Sequence, residues 1–333
     1  MKAFRMEGPE AASVAEVPEV AAPVGEALLR VKMVGMCGTD LNTFRGRNAM
    51  VTFPRIPGHE VAAEVVEGGG AFAAGTLVTI SPYTSCGKCA SCRRGRANAC
   101  QFNETMGVQR DGAMTEYISV PVEKLYAAKL SIQELCLVEP LTVGFHAAAR
   151  GRVNAEDTVA VFGCGGVGLG AIASAAFRGA ETIAIDMDDA KLEIARKAGA
   201  KHLIHSKNED LHERLSAITG GHGPDVMIEA IGLPQTFRAA VEEVAFTGRV
   251  VYIGYAKEPV AYETRLFVQK ELDVMGSRNA LPEDFREVIR MLEAGRFPVE
   301  DAVSAVVPLT EAGRMLGEWS AAPAKFTKIM VEI

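Results

Sequence analysis

The sequence predicts an α/β protein in which a doubly wound parallel sheet is inserted into a β-rich domain. Three observations predict it. The chain has 333 residues, which suits two domains better than a single core. Its first part reads as short strands punctuated by Gly and Pro, whereas beyond Glu139-Pro140 strands alternate with helices. A glycine-rich turn joins the first of those later strands to the first of those helices.

Taken in order, residues 27–34, 60–67 and 77–80 have strand character in a half that looks all-β and loop-rich. From residue 158 the pattern becomes strand 158–162, helix 167–177, strand 182–186 and helix 188–198, with further strands at 202–205, 225–229, 249–253 and 272–275. Strands separated by helices imply right-handed crossovers and a parallel sheet. A helix over 282–293 and a strand over 327–332 close the chain. The expected division is a β-rich domain over 1–141, a doubly wound domain over 142–280, and a return of 281–333 to the first domain, with a cleft between the two.

Composition narrows the function. A net charge of −7 argues against nucleic acid or an anionic membrane as partner. The start has no apolar core of signal-peptide length. Residues 158–177 carry no charge but hold five glycines, which rejects a membrane span. Of seven cysteines, four crowd into 86–100. Such clustering reads as a metal site in a reducing cytoplasm and not as a disulfide framework. The partner expected is a small molecule. The strand at 272–275 would leave an open sheet edge, so a homodimer or homotetramer is expected.

Gly163-Cys164-Gly165-Gly166-Val167-Gly168 fits G-x-G-x-x-G, follows a strand, opens a helix, and has Asp186 ending the next strand. That context makes it a dinucleotide fingerprint of the Rossmann type. Gly163 allows the turn, Gly165 lets backbone approach a pyrophosphate, and Gly168 lets helix and strand pack closely. Asp186 would accept from ribose hydroxyls and repel a 2′-phosphate, so NAD is expected over NADP.

Cys86-x2-Cys89-x2-Cys92-x7-Cys100 supplies four thiolates for tetrahedral Zn²⁺, a closed shell and hence a structural ion. The seven-residue last gap, followed by Gln101, departs from ferredoxin spacing. Cys37, His59, Glu60 and Glu139 offer donors for a catalytic zinc with an open position, but spacing alone does not join them.

The segments GMCGTD, PGHE, the four-cysteine lobe, LVEPLTVGFHA, the glycine loop with Asp186, and the IGY and MGSRNA stretches resemble the zinc-containing medium-chain alcohol dehydrogenases, across most of residues 30–280. The Glu after Gly-His and the Glu before Pro140 are similar to the sorbitol and threonine dehydrogenase branch. The resemblance implies a GroES-like catalytic domain and two zinc ions per chain. Cys37, His59 and Glu60 would hold the catalytic one, with Glu139 a fourth ligand or the anchor of a bound water. It implies Thr39 as first proton relay, Val143 behind the nicotinamide, and Ile253, Gly254, Met275 and Gly276 beside it. Asn42 stands where many relatives carry a histidine, which leaves the proton's later route open. Arg278 and Asn279 fall where the L-galactonate and L-gulonate 5-dehydrogenases resemble this chain, so a sugar acid oxidised at C5 is the expected substrate. Arginine suits a carboxylate, and Arg45, Arg47 and Arg110 are further candidates. A neutral polyol such as sorbitol or xylitol is the alternative, and L-threonine the third. The competing class is a non-catalytic NAD-binding sensor or structural protein, against which the intact ligand set argues.

Overall fold

Contacts within the computed structural model, which describes residues 1–333, divide the chain into two units: Met1–Glu139 with Val299–Ile333, and Pro140–Pro298. In the first unit, β1 (Lys2–Gly8) and β2 (Ala11–Glu16) form an antiparallel hairpin. They precede β3 (Glu26–Met36), α1 (Gly38–Phe44), β4 (Glu60–Glu67), β5 (Leu77–Ile80), β6 (Tyr117–Pro121) and β7 (Leu125–Ala127). Strand β3 alternates between buried and half-exposed residues until Met33, then buries its last four. An antiparallel strand with one wet face gives the alternation. Its fully enclosed end is where α1 begins.

Helix α2 (Ile132–Arg150) runs unbroken through Pro140, and the boundary between the units falls inside it. Proline lacks the N–H that an interior helical position donates, so this continuity costs a hydrogen bond. The second unit continues with β8 (Thr158–Phe162), α3 (Gly166–Phe177), β9 (Glu181–Asp186), α4 (Asp189–Lys197), β10 (His202–His205) and α5 (Leu211–Thr219). It ends with β11 (Val226–Glu229), α6 (Pro234–Glu243), β12 (Arg249–Tyr252), α7 (Arg265–Gln269), β13 (Asp273–Gly276) and α8 (Pro282–Glu293). The six strands are all parallel, in the order β10-β9-β8-β11-β12-β13. That is the doubly wound arrangement, whose direction reverses between β8 and β11 and which opens a ligand crevice at the carboxyl ends. Ala160, Phe162, Ile183, Ile185, Ile204, Met227 and Val250 form the core of this unit against its helices.

The chain then returns to the first unit with α9 (Val299–Ala302), β14 (Ala305–Pro308), α10 (Ala312–Ala321) and β15 (Ile329–Glu332). Strand β15 lies between β14 and β3, in a sheet that runs on through β4 and β5 to β7. The return thus comes at Val299 and not at 281 as the sequence suggested. Helix α8 stays with the second unit because Asp284 pairs with His146 of α2 at 2.8 Å and Glu287 pairs with Arg178. No helix is long and apolar enough to cross a membrane.

Candidate metal centres and nucleotide loop

Cys37 follows β3 directly and caps α1, its N–H donating to Asp40 Oδ2 at 2.8 Å. Strand β4 runs antiparallel to β3 with Glu60 opposite Gly35, and His59 immediately precedes it. Strand pairing thereby joins positions 37, 59 and 60, which spacing could not. One donor atom each from Cys37, His59 and Glu60 lies within 4.8 Å of the others. Donors around a tetrahedral zinc with bonds of about 2.0–2.3 Å sit roughly 3.3–3.8 Å apart, within that bound.

The surroundings ask for a cation. Asp40, His59, Glu60 and Glu139 are all buried. Nδ1 of His59 and Oδ1 of Asp40 have no hydrogen-bond partner, and orphaned buried atoms of this kind point to an ion or a water. Burial opposes a charged His59, yet the adjacent Cys37, Asp40 and Glu139 outweigh it and hold its pKa well above the ordinary histidine value. Burial raises Asp40 and Glu139 above the usual carboxylate range, against the pull of His59. Thr39, half-buried, places Oγ1 3.7 Å from Cys37 Sγ. Asn42 is exposed.

Glu139, on α2, stands outside the close set of three donors. Its carboxylate accepts the hydroxyl of buried Tyr83. Glu60 has a buried partner too: Lys328 donates to both carboxylate oxygens at 2.6 Å and to the Met36 carbonyl at 3.3 Å. Neither Tyr83 nor Lys328 was foreseen. A lone tyrosine and a lysine near the far end of the chain carry no local signal. Gly35 makes room for this arrangement, since a Cβ there would come within 2.0 Å of Glu60 Oε2.

The four lobe cysteines form a second cluster, with sulfurs all within 4.8 Å of one another. Cys89 Sγ lies 3.5 Å from Cys92 Sγ and 3.9 Å from Cys100 Sγ. Thiolates about 2.3 Å from a tetrahedral zinc sit roughly 3.8 Å apart, so the cradle has the right size. Backbone N–H groups of Cys86 and Phe102 donate to Cys100 Sγ, and that of Cys89 to Cys86 Sγ, each at 3.3 Å. Such bonds favour thiolates. The Ser91 hydroxyl, with the N–H groups of Cys92 and Gln101, lowers Cys89 to about 5, while burial pushes Cys92 up to about 11. All seven cysteines are free of disulfides.

In the second unit the glycine loop lies at the carboxyl end of β8. Gly163 turns with φ +93°, and a Cβ on Gly168 would meet Gly163 O at 1.7 Å, so both need glycine. Space around Gly165 is open. Gly165 caps α3 without a side-chain hydrogen bond, and Gly166 and Val167 form the first turn. The free N–H groups there suit an anion. Asp186 closes β9, and its carboxylate accepts from the N–H groups of Cys164 and Met187, each at 2.7 Å. Ile253 and Gly254 follow β12, and Met275 and Gly276 end β13, at the same edge of the parallel sheet. Beyond them come exposed Arg278 and half-buried Asn279, the latter left-handed with φ 52°. Val143 is half-buried on α2. Arg45 donates to Ser320 and Arg110 to the Pro82 carbonyl, which weakens both as substrate residues.

Residues 23–130 match the family model described as the alcohol dehydrogenase GroES-like domain, and residues 166–294 the one described as zinc-binding dehydrogenase. The L-galactonate-5-dehydrogenase of Escherichia coli K12 is 34% identical over 279 residues, 83% of this chain and 82% of the relative. The sorbitol dehydrogenase of Bacillus subtilis is 36% identical over 264 residues, 75% of this chain and 74% of the relative. The crystal structure of an Escherichia coli CFT073 protein described as a short chain alcohol dehydrogenase, complexed with NADH, matches with a TM-score of 0.92. It is 27% identical, and the match covers 100% of this chain and 99% of that one.

Proposed function

The chain belongs to the zinc-type alcohol dehydrogenases, and on that premise we propose that it oxidises a secondary alcohol of a sugar acid, L-galactonate or L-gulonate at C5, with NAD as hydride acceptor. The observation that carries the metal reading is the meeting of Cys37, His59 and Glu60 donors beside orphaned buried atoms. In this reading those three hold the catalytic zinc, with Glu139, steadied by Tyr83, as outer anchor. The lobe cysteines hold a structural zinc. The catalytic metal, when bound, supplies Lewis acidity toward an alcohol oxygen.

The chain's own residues do the rest. Thr39 receives the substrate's hydroxyl proton at Oγ1 and passes it outward; exposed Asn42 cannot titrate, so water completes that route. The glycine loop and the start of α3 bind the pyrophosphate through backbone N–H groups. Each Asp186 oxygen keeps a lone pair for a ribose hydroxyl after accepting its backbone bond, and its charge repels a 2′-phosphate. Val143, Ile253, Gly254, Met275 and Gly276 shape the nicotinamide end. Arg278, with Asn279, meets the substrate carboxylate through charge-assisted hydrogen bonds. The edge of β13 with exposed Val274, together with exposed Val268 of α7, is the surface we assign to pairing with a second copy, which light scattering tests.

The substrate class is decided by following nicotinamide reduction across sugar acids, polyols and L-threonine. Losing a hydrogen bond to a charged group costs about 1.5–3 kcal/mol, roughly 10- to 150-fold in kcat/KM. Arg278→Ala should lose that much on L-gulonate and nothing on sorbitol. The 36% identical sorbitol dehydrogenase favours a neutral polyol as the second reading. Equal kcat/KM for sorbitol and L-gulonate in the unaltered enzyme would establish it over the first.

A further inference from the structure

A cavity of about 460 Å³ lies wholly within the first unit, between the segment that follows β2, the turn before β4 and the loop that leads into β6. Cys37, His59, Glu60 and Glu139 take no part in its lining. Val17, Pro18, Val20, Pro54, Ile56 and Ile118 give it apolar walls. Its charged lining is basic, with Arg5, Arg55 and Arg110 against Glu19 and Asp111, in a chain whose net charge is −7. Asp111 is already committed: it accepts from Arg55 and from the Ile56 N–H, each at 3.1 Å. Glu19 is exposed.

That leaves Arg110 without a carboxylate. It is half-buried, and its guanidinium makes one hydrogen bond, to the Pro82 carbonyl at 3.3 Å. Its buried Nε has no partner, nor has that of Arg55. Burial lowers the pKa of Arg110, and Glu104 and Glu26 oppose this only from beyond ion-pair distance. Lys124, half-buried as well, is lowered by its own burial and then by Arg110. Two partly desolvated cations that repel each other are a cost that an anion would remove. The backbone keeps Arg110 where it is. The N–H groups of Gly112, Ala113 and Met114 donate to the carbonyls of Ile56, Gly58 and Pro57 at 2.7, 2.9 and 3.0 Å. A Cβ on Gly112 would meet the Pro57 carbonyl oxygen at 2.3 Å, so the loop packs there only with glycine.

We propose that this cavity is a second ligand site, separate from the metal centre, for a small organic anion: a carboxylate or phosphate head on Arg110 and an apolar body along Val17, Val20 and Ile118. The planar guanidinium offers paired N–H donors that match either head group. The volume falls in the range of small-molecule sites, which combine apolar walls with a few fixed polar groups. The site stands whether or not the substrate is a sugar acid, because no residue of the metal centre or the nucleotide loop belongs to it.

Isothermal titration calorimetry of the full chain, loaded with zinc and saturated with NADH, tests it with four probes: benzoate, phenyl phosphate, inorganic phosphate and the neutral benzamide. Benzoate or phenyl phosphate should bind saturably at one site per chain, and the tighter of the two identifies the head group. Benzamide, which lacks the charge, and inorganic phosphate, which lacks the body, should each bind at least about tenfold more weakly. Losing hydrogen bonds to a charged partner weakens binding by roughly 10- to 150-fold, and Arg110→Met should show a loss in that range. Val20→Trp fills the cavity and keeps every charge, so it should abolish binding, and it serves where Arg110→Met fails to fold. Arg278→Ala should leave the affinity unchanged. No saturable binding of either anion, benzamide binding as tightly as benzoate, or wild-type affinity in Arg110→Met or Val20→Trp overturns the proposal. Affinity lost in Arg278→Ala overturns it too, because the anion would then sit with the substrate.

Discussion

Gly35→Ala adds a single methyl group where strand β3 passes Glu60. Its Cβ would stand 2.0 Å from Glu60 Oε2, 3.1 Å from Cδ and 3.0 Å from Cβ. A flexible exposed carboxylate would swing away at little cost. This one is 1% exposed and bonded to Lys328 through both oxygens at 2.6 Å, so it has nowhere to go. Ordinary contact begins near 3.4 Å, which demands a retreat of more than an ångström, enough to break at least one of the two bonds. Overpacking alone costs about 1–3 kcal/mol. A broken buried ion pair that strands a charge costs about 3–5 kcal/mol. We expect a loss of stability in the span of those two ranges and loss of the second zinc, because Glu60 no longer faces Cys37 and His59. Urea denaturation followed by circular dichroism, with zinc content from mass spectrometry, measures both. A Gly35→Ala protein with wild-type midpoint and wild-type zinc content would refute the claim that Glu60 is held rigidly in the metal set.

Other outcomes follow from the same geometry. Cys100→Ser should remove one zinc per chain and lower thermal stability, leaving the ion at Cys37 and His59; unchanged zinc content would show that the lobe binds none. Asp186→Asn should raise KM for NAD roughly tenfold or more through loss of bonds to a charged acceptor, and should improve NADP relative to NAD; an unchanged cofactor preference contradicts the ribose assignment. The hydrogen bond to Glu243 raises the pKa of His212 above the ordinary histidine value. A pKa raised on folding stabilises fully below the unfolded value, and the contribution is lost as pH rises through the folded one. In Glu243→Gln the His212 ring should titrate at lower pH by NMR, and an unmoved titration contradicts the pairing.

Much of the fold was legible because its signals are local. Strands β4, β5, β8 and β10 and helix α8 fall where periodicity put them, since each is a short segment whose own pattern sets its buried face. The glycine loop and the cysteine lobe are likewise written in spacings of a few residues. What the sequence hid is long-range. Lys328 and Glu60 are 268 positions apart, His146 and Asp284 are 138 apart, and Tyr83 and Glu139 are 56 apart. Each pair is made by tertiary packing of elements that carry no shared motif. The late return to the first unit has the same cause: α8 is bound by Asp284 and Glu287 to partners that its own periodicity cannot name. Helix α1 was missed because seven residues are too few for an apolar stripe.

Metal analysis of the purified protein beside its Cys37→Ser variant tests the account most directly. Two zinc ions per wild-type chain, one in the variant, and alcohol oxidation abolished with the fold intact are expected. A wild-type chain that carries a single zinc, unaffected by the substitution, would contradict it.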